Sequence, residues 1–163
     1  MFDGPWIAVV GPGEADADEV ARAEAVGAAI AAGGATLVCG GLGGVMAAAC
    51  RGAAERGGLT VGLLPGEDRK AANQWVQVAL PTGLGEVRNV LLVRAAEAMI
   101  AIGGGWGTLS EIALALREGL PVIGLDSWTP AQGDSRRPGV VALDSAEDAV
   151  REALRQAAGE VHE

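Results

Sequence analysis

Glu111 and Arg88 are the side chains of this 163-residue chain best suited by type and context to act on a small anion. Glu111 follows the run Gly103-Gly104-Gly105-Trp106-Gly107-Thr108 and stands about one helical turn beyond Thr108. A glycine-rich loop lets the backbone approach a ligand, and the free N–H groups of a following helix attract negative charge. A carboxylate in the first turns of such a helix reaches what the loop holds. Arg88 lies in Gly85-Glu86-Val87-Arg88-Asn89-Val90, ahead of an apolar stretch that ends near Ala98. A guanidinium there could clamp a phosphate bidentately, and Asn89 could hydrogen-bond a sugar or base. The residues alone leave a plainer alternative open, in which Glu111 and Arg88 pair with each other or cap helices.

Three loops could supply the cradle: Gly11-Pro12-Gly13, Gly40–Gly44 and Gly103–Gly107. The first is followed by Glu14, Asp16, Asp18 and Glu19, which complement the positive end of their own helix and repel a phosphate. The second runs into Val45-Met46-Ala47-Ala48-Ala49, with no acid before Glu55. The third offers the hydroxyls of Thr108 and Ser110 and one acid, Glu111. Phosphate is therefore expected on the third loop, at Gly104, Gly105, Trp106, Gly107 and Thr108. Gly41, Gly43 and Gly44 of the second form the adjacent wall, and Gly11 of the first touches a neutral part of the ligand. Trp106 either stacks on a base or seals a subunit interface. The alternative for all these glycines is tight turns and close helix–sheet packing.

Several other chemistries fail on residue type or spacing. No G-x-x-x-x-G-K-[ST] occurs, and no glycine run falls in the G-x-G-x-x-G frame. His162, in the tail, is the only histidine, which excludes a Ser-His-Asp triad and a histidine metal site. Lys70, the only lysine, sits in the polar stretch Glu67-Asp68-Arg69-Lys70 and makes a poor Schiff-base residue. Cys39 and Cys50 lack zinc-pair spacing and read as buried filler. A net charge of −9 opposes binding to a nucleic-acid backbone but says little against a small anion. No stretch has transmembrane length, and the N-terminus enters a strand at once without a signal peptide, so a cytoplasmic location is expected.

The elements that must position these groups alternate along the chain. Apolar runs at Trp6–Val10, Thr36–Cys39, Thr60–Leu64, Ala98–Ile102, Pro121–Leu125 and Val140–Leu143 predict strands. Ala-rich segments with helical periodicity lie between most of them; in the first, Val20, Ala23, Gly27 and Ile30 share a face. Ser145-Ala146-Glu147-Asp148 opens a last helix in the manner of an N-cap with an acid at N3, and Gly159 ends it. Strands alternating with helices imply βαβ units, and continuously apolar strands imply burial on both faces. The expected fold is α/β, a three-layer α/β/α sandwich with a mainly parallel sheet, in one domain over residues 1–163. Ser127–Pro138 reads as a surface loop. In such sheets ligands gather at the carboxyl ends of strands, where the glycine loops fall.

Gly103-Gly104-Gly105-Trp106-Gly107-Thr108-Leu109-Ser110-Glu111 resembles the P-G-G-x-G-T-x-x-E signature of the LOG proteins. These are cytokinin riboside 5′-monophosphate phosphoribohydrolases, long mislabelled as lysine decarboxylases. Gly40–Met46 is similar to that family's second glycine loop, and Arg88 falls where the family carries the Arg of an H-x-R-K-like segment. The resemblance runs from Ile7 to about Leu125. Gly40-Gly41-Leu42-Gly43-Gly44-Val45-Met46, Pro81-Thr82-Gly83-Leu84-Gly85 and Arg88-Asn89 resemble more closely a bacterial branch that looks like the molybdenum cofactor carrier proteins. The resemblance implies a dimeric Rossmann-like protein that binds a nucleotide or molybdenum cofactor and requires no further cofactor or metal. It implies catalytic roles for Glu111 and Arg88 in cleaving the N-glycosidic bond of a nucleoside 5′-monophosphate. Glu111 would stabilise the sugar cation and orient water while Arg88 holds the phosphate. The carrier branch implies binding without turnover. Gly103 replaces the signature's Pro, and Asn89 replaces the Lys after the Arg, which removes a positive charge.

Overall fold

The computed structural model describes residues 3–130 and 139–159. Residues 131–138 of the expected surface loop, and His162 in the tail, lie outside the described residues. Among the described residues seven strands form one parallel sheet: β1 (Trp6–Val10), β2 (Thr36–Cys39), β3 (Thr60–Leu64), β4 (Val78–Pro81), β5 (Ala98–Ile102), β6 (Val122–Leu125) and β7 (Val140–Leu143). Their order across the sheet is β4-β3-β2-β1-β5-β6-β7. The chain builds outward from β1 to one edge, then returns to the other side of β1 to lay down β5. Five of the six expected strands have the expected bounds. The sixth starts at Val122, since Pro121 has no N–H to donate, although its carbonyl still accepts from the Met99 N–H at 2.8 Å.

β4 was absent from the sequence expectation, and its position explains why. It is an edge strand whose residues are at most half-buried, and it ends in a proline. Edge strands need neither a continuous apolar run nor a full ladder of donors. The central strands β1, β2, β3 and β5 are by contrast buried along nearly their whole length.

Five helices cover the two faces: α1 (Ala17–Ala32), α2 (Val45–Ala54), α3 (Asn89–Ala95), α4 (Trp106–Arg117) and α5 (Ala146–Ala157). Ile7, Val9, Leu37, Ile100 and Ile102 point to the layer of α1, α2 and α5. Ala8, Val10, Val38, Met99 and Ala101 point to the layer of α3 and α4. This alternation along fully buried strands produces the three-layer sandwich. Cys39 and Cys50 are buried free thiols with their Sγ atoms 3.5 Å apart. Among the described residues no helix is long and apolar enough to cross a membrane.

Helices α1 and α2 meet backbone to backbone. A Cβ on Gly27 would lie 1.9 Å from the Ala49 carbonyl oxygen, and one on Gly52 would lie 2.0 Å from that of Glu24. Neither carbonyl can withdraw without breaking its helix. Gly27→Ala is therefore expected to destabilise the protein by about 3 kcal/mol, at the upper end of the cost of overpacking. Gly66→Ala, whose Cβ meets nothing within 4 Å, should change stability by less than about 0.5 kcal/mol. Urea unfolding of the two variants checks this, and equal midpoints would show that the helix pair can separate freely.

Candidate functional site

The reversal of strand order between β1 and β5 opens a crevice at the carboxyl edge of the sheet. Gly11, after β1, lies against it, and a Cβ there would approach the Ile102 carbonyl oxygen to 2.6 Å. A cavity of about 430 Å³ occupies the crevice, the size range of small-molecule sites. It gathers residues from five segments: Gly11, Pro12 and Gly13 after β1, Leu42 after β2, Glu86, Arg88 and Asn89 before and at the start of α3, and Gly105, Gly107, Thr108, Ser110 and Glu111 at the cap and start of α4. Pro65, after β3, completes the lining.

The three helices that begin near the crevice differ in how their first N–H groups are satisfied. Asp16 caps α1, accepting from the Glu19 N–H at 2.8 Å, while Glu19 accepts from the Asp16 N–H at 3.0 Å. This reciprocal box leaves α1 with carboxylates over its positive end. The N-caps of α2 and α4 are Gly44 and Gly105, which have no side chain to cap with. Neither helix carries an acid in its first turn. The first N–H groups of α4 therefore have no intrahelical acceptor, and the turn that carries them lines the cavity at Gly105 and Gly107.

Arg88 ends a 3₁₀ turn over Gly85–Arg88 and is only 8% exposed. Its Nη1 donates to Asn89 Oδ1 and lies 4.0 Å from Glu111 Oε1. Its Nε is buried without a hydrogen-bond partner among the described residues. Gly40 makes room for the guanidinium, because a Cβ there would stand 2.6 Å from Nη2. Gly40 is thus a site residue that the sequence marks only as one glycine among several. Asn73 is another that sequence reasoning missed. Its side-chain Nδ2 donates to the carbonyls of Gly41 (3.3 Å) and Leu42 (2.9 Å) and holds the second loop against the crevice.

Of the expected ligand residues, Gly11, Arg88, Asn89, Gly105, Gly107, Thr108 and Glu111 come together in the cavity lining. Gly41, Gly43 and Gly44 stand outside that lining, and only Leu42 represents their loop there. Gly41 packs on Leu64 and Gly62, and Gly44 packs on the Pro12 carbonyl. Gly104 lies on the far side of its turn, in a second cleft with Trp128. Trp106, 78% exposed, projects from the first residue of α4 and stacks on Trp128.

The cavity is electrostatically divided. Burial pushes the Glu111 carboxyl up to about 7; the Arg88 guanidinium pulls it down and the Glu86 carboxylate pushes it up, but burial wins. A carboxyl whose folded pKa lies above its unfolded value makes the folded state bind the extra proton. Stability then falls as pH rises from about 4.5 to about 7, and the cost of the buried charge is fully present above that window. Glu111→Gln removes this titration and keeps the shape. The variant should match the parent near pH 4.5 and gain up to about 3 kcal/mol over it by pH 8. Melting curves of both proteins across that range check this; parallel profiles would mean that Glu111 titrates as an exposed acid does.

Comparison with known proteins places this geometry in a family. An uncharacterized protein of Archaeoglobus fulgidus is 44% identical over 119 residues, 73% of this chain and 78% of that protein. The molybdenum cofactor binding protein of Rippkaea orientalis superposes with a TM-score of 0.83 at 36% identity, covering 93% of this chain and 96% of that one. The molybdenum cofactor carrier protein of Chlamydomonas reinhardtii superposes with a TM-score of 0.81 at 30% identity, covering 96% and 99%. The SLOG cluster4 family matches residues 5–154, nearly the whole alternation of strands and helices described above, and the chain belongs to that family.

Proposed function

We propose that this protein binds a small phosphorylated ligand of the molybdenum cofactor kind and carries it without turnover. The observation that carries the reading is the buried guanidinium of Arg88 in a cavity that also borders the uncapped start of α4. An anion there gains a charge-assisted bond from Arg88, whose Nε has no partner of its own, and N–H bonds from α4. Thr108 and Ser110 add hydroxyl donors. Asn89 tilts the reading toward a carrier. Where the LOG signature has a second cation, this chain has an amide that accepts a bond from Arg88. The similarity to carrier and binding proteins over more than nine-tenths of the chain supports the same conclusion.

A second reading is favoured by one observation. Glu111, 4.0 Å from Arg88, shares the cavity and could stabilise a sugar cation formed next to the held phosphate. In that reading the protein cleaves nucleoside 5′-monophosphates to free base and ribose 5-phosphate. Both readings include a homodimer. Leu84, Val87 and Leu91 support it, since they stand exposed three and four residues apart along the 3₁₀ turn and α3, on one face.

Incubation with AMP, GMP, CMP and UMP, followed by chromatography for free base, separates the readings. The carrier reading expects no base release and a rise in melting temperature with molybdenum cofactor. Base release that Glu111→Gln abolishes would replace it with the hydrolase. Arg88→Ala should weaken binding of the phosphorylated ligand by about 2–5 kcal/mol, the cost of losing a buried, charge-assisted contact. Unchanged affinity would move the phosphate away from Arg88. Val87→Glu should shift a sizing-column dimer toward monomer; a wild-type monomer at micromolar concentration would overturn the dimer.

A further inference from the structure

We infer that Trp106 and Trp128 form a stacking platform for a planar heterocycle on the ligand whose phosphate lies at the α4 terminus, an inference that rests on the reading above. Tryptophan rings are the largest apolar side chains, and this chain has only four tryptophans and one phenylalanine. Two of them meet beside the glycine turn that opens α4, with ring centroids 5.5 Å apart and planes 28° from parallel. Trp106 presents its ring to solvent from the first residue of α4, 78% exposed.

The platform is built rather than incidental. Trp128 Nε1 donates to the Gly105 carbonyl at 3.2 Å, and Gly105 lines the Arg88 cavity. The loop that brings Trp128 there starts at Asp126, whose φ of 48° is rare outside glycine. Arg22 holds Asp126 from α1 at 3.3 Å. Gly104, at φ 138°, has no room for a side chain, because its Cβ would stand 2.9 Å from Thr108 and 3.2 Å from Trp128. Three constraints thus fix the indole beside the glycine turn. A cleft of about 390 Å³, lined by Gly103, Gly104, Asp126, Ser127, Trp128 and Thr129, adjoins it. Ser127 Oγ is buried beside it without a partner among the described residues. A ligand phosphate at the N–H groups of α4 therefore leaves its ring within reach of the indoles that flank the same turn. Aromatic stacking of this kind binds any planar heterocycle, and hydrogen bonds at its edge select among them.

The test is calorimetric titration of the full protein with AMP, ribose 5-phosphate and adenosine. Trp106→Ala should weaken AMP and adenosine about tenfold and leave ribose 5-phosphate unchanged, and Trp106→Phe should recover most of the loss. Ribose 5-phosphate binding by each variant reports that the phosphate site is intact. An AMP affinity equal to that of ribose 5-phosphate in the parent protein, or AMP binding indifferent to Trp106→Ala, overturns the platform and leaves the phosphate site standing. A variant that loses its dimer on a sizing column but keeps its AMP affinity assigns the indoles to a subunit interface instead. Adenosine binding that depends on Trp106, with no binding of ribose 5-phosphate, keeps the platform and removes the phosphate site. Failure of all three ligands to bind the parent protein overturns both.

Discussion

The structure depends on one topological constraint, the reversal of strand order at β1. Strands β2, β3 and β4 run outward from β1 to one edge, and β5 returns to its other side. Neighbouring loops that leave a parallel sheet in opposite directions cannot cover the gap between them. The gap therefore lies over β1 and β5, and the residues that border it come from five separate segments. The centre of the sheet is buried on both faces, so the crevice rests on the most deeply buried strands. Part of its wall is bare backbone, since Gly11 has no space for a Cβ against the Ile102 carbonyl.

Electrostatics then distinguishes the three helices that begin beside the gap. Asp16 and Glu19 satisfy α1 internally, which removes it as an anion site. Helices α2 and α4 have glycine N-caps and no first-turn acid, so their dipoles are uncompensated by side chains. Only α4 is paired with a buried cation and a buried carboxyl in the same cavity. Arg88 and Glu111 approach without forming a close bidentate pair, their nearest atoms being 4.0 Å apart. A closely paired Arg would be a structural ion pair with little left for a ligand. At this separation the guanidinium retains unused donors, while burial keeps the carboxyl reluctant to ionise. The sequence reading left open whether the two residues pair or serve a ligand, and the geometry shows a loose pairing that leaves both in the cavity.

Much of the fold was legible in the sequence, because parallel strands buried on both faces must be continuously apolar. Ile7–Val10, Leu37–Cys39 and Ala98–Ile102 are such runs, and every residue in them is buried. β4 was not legible, since an edge strand meets solvent and obeys no such rule. Ser145 and Asp148 announced the start of α5 by local chemistry alone, and the hydroxyl does accept from the Asp148 N–H at 3.1 Å. The same kind of reasoning singled out Glu111, Arg88 and the glycine loops as candidates, since their types and spacing are local properties of the chain.

The sequence by itself determined which strands are buried and where the candidate anion-binding residue types stand along the chain. Both follow from the intrinsic chemistry of short segments. Only the tertiary structure decided which of those residues meet. Gly41, Gly43 and Gly44 share a loop with Leu42, yet only Leu42 reaches the cavity, because the loop's glycines are turned onto Leu64 and Pro12. Trp128 lies 22 residues from Trp106 in the sequence and stacks on it, because β5 and β6 are neighbours in the sheet. Asn73, Gly40 and Pro65 belong to the site for the same reason. Contacts between distant segments are set by strand order and register, and neither is written in the composition or spacing of any one segment.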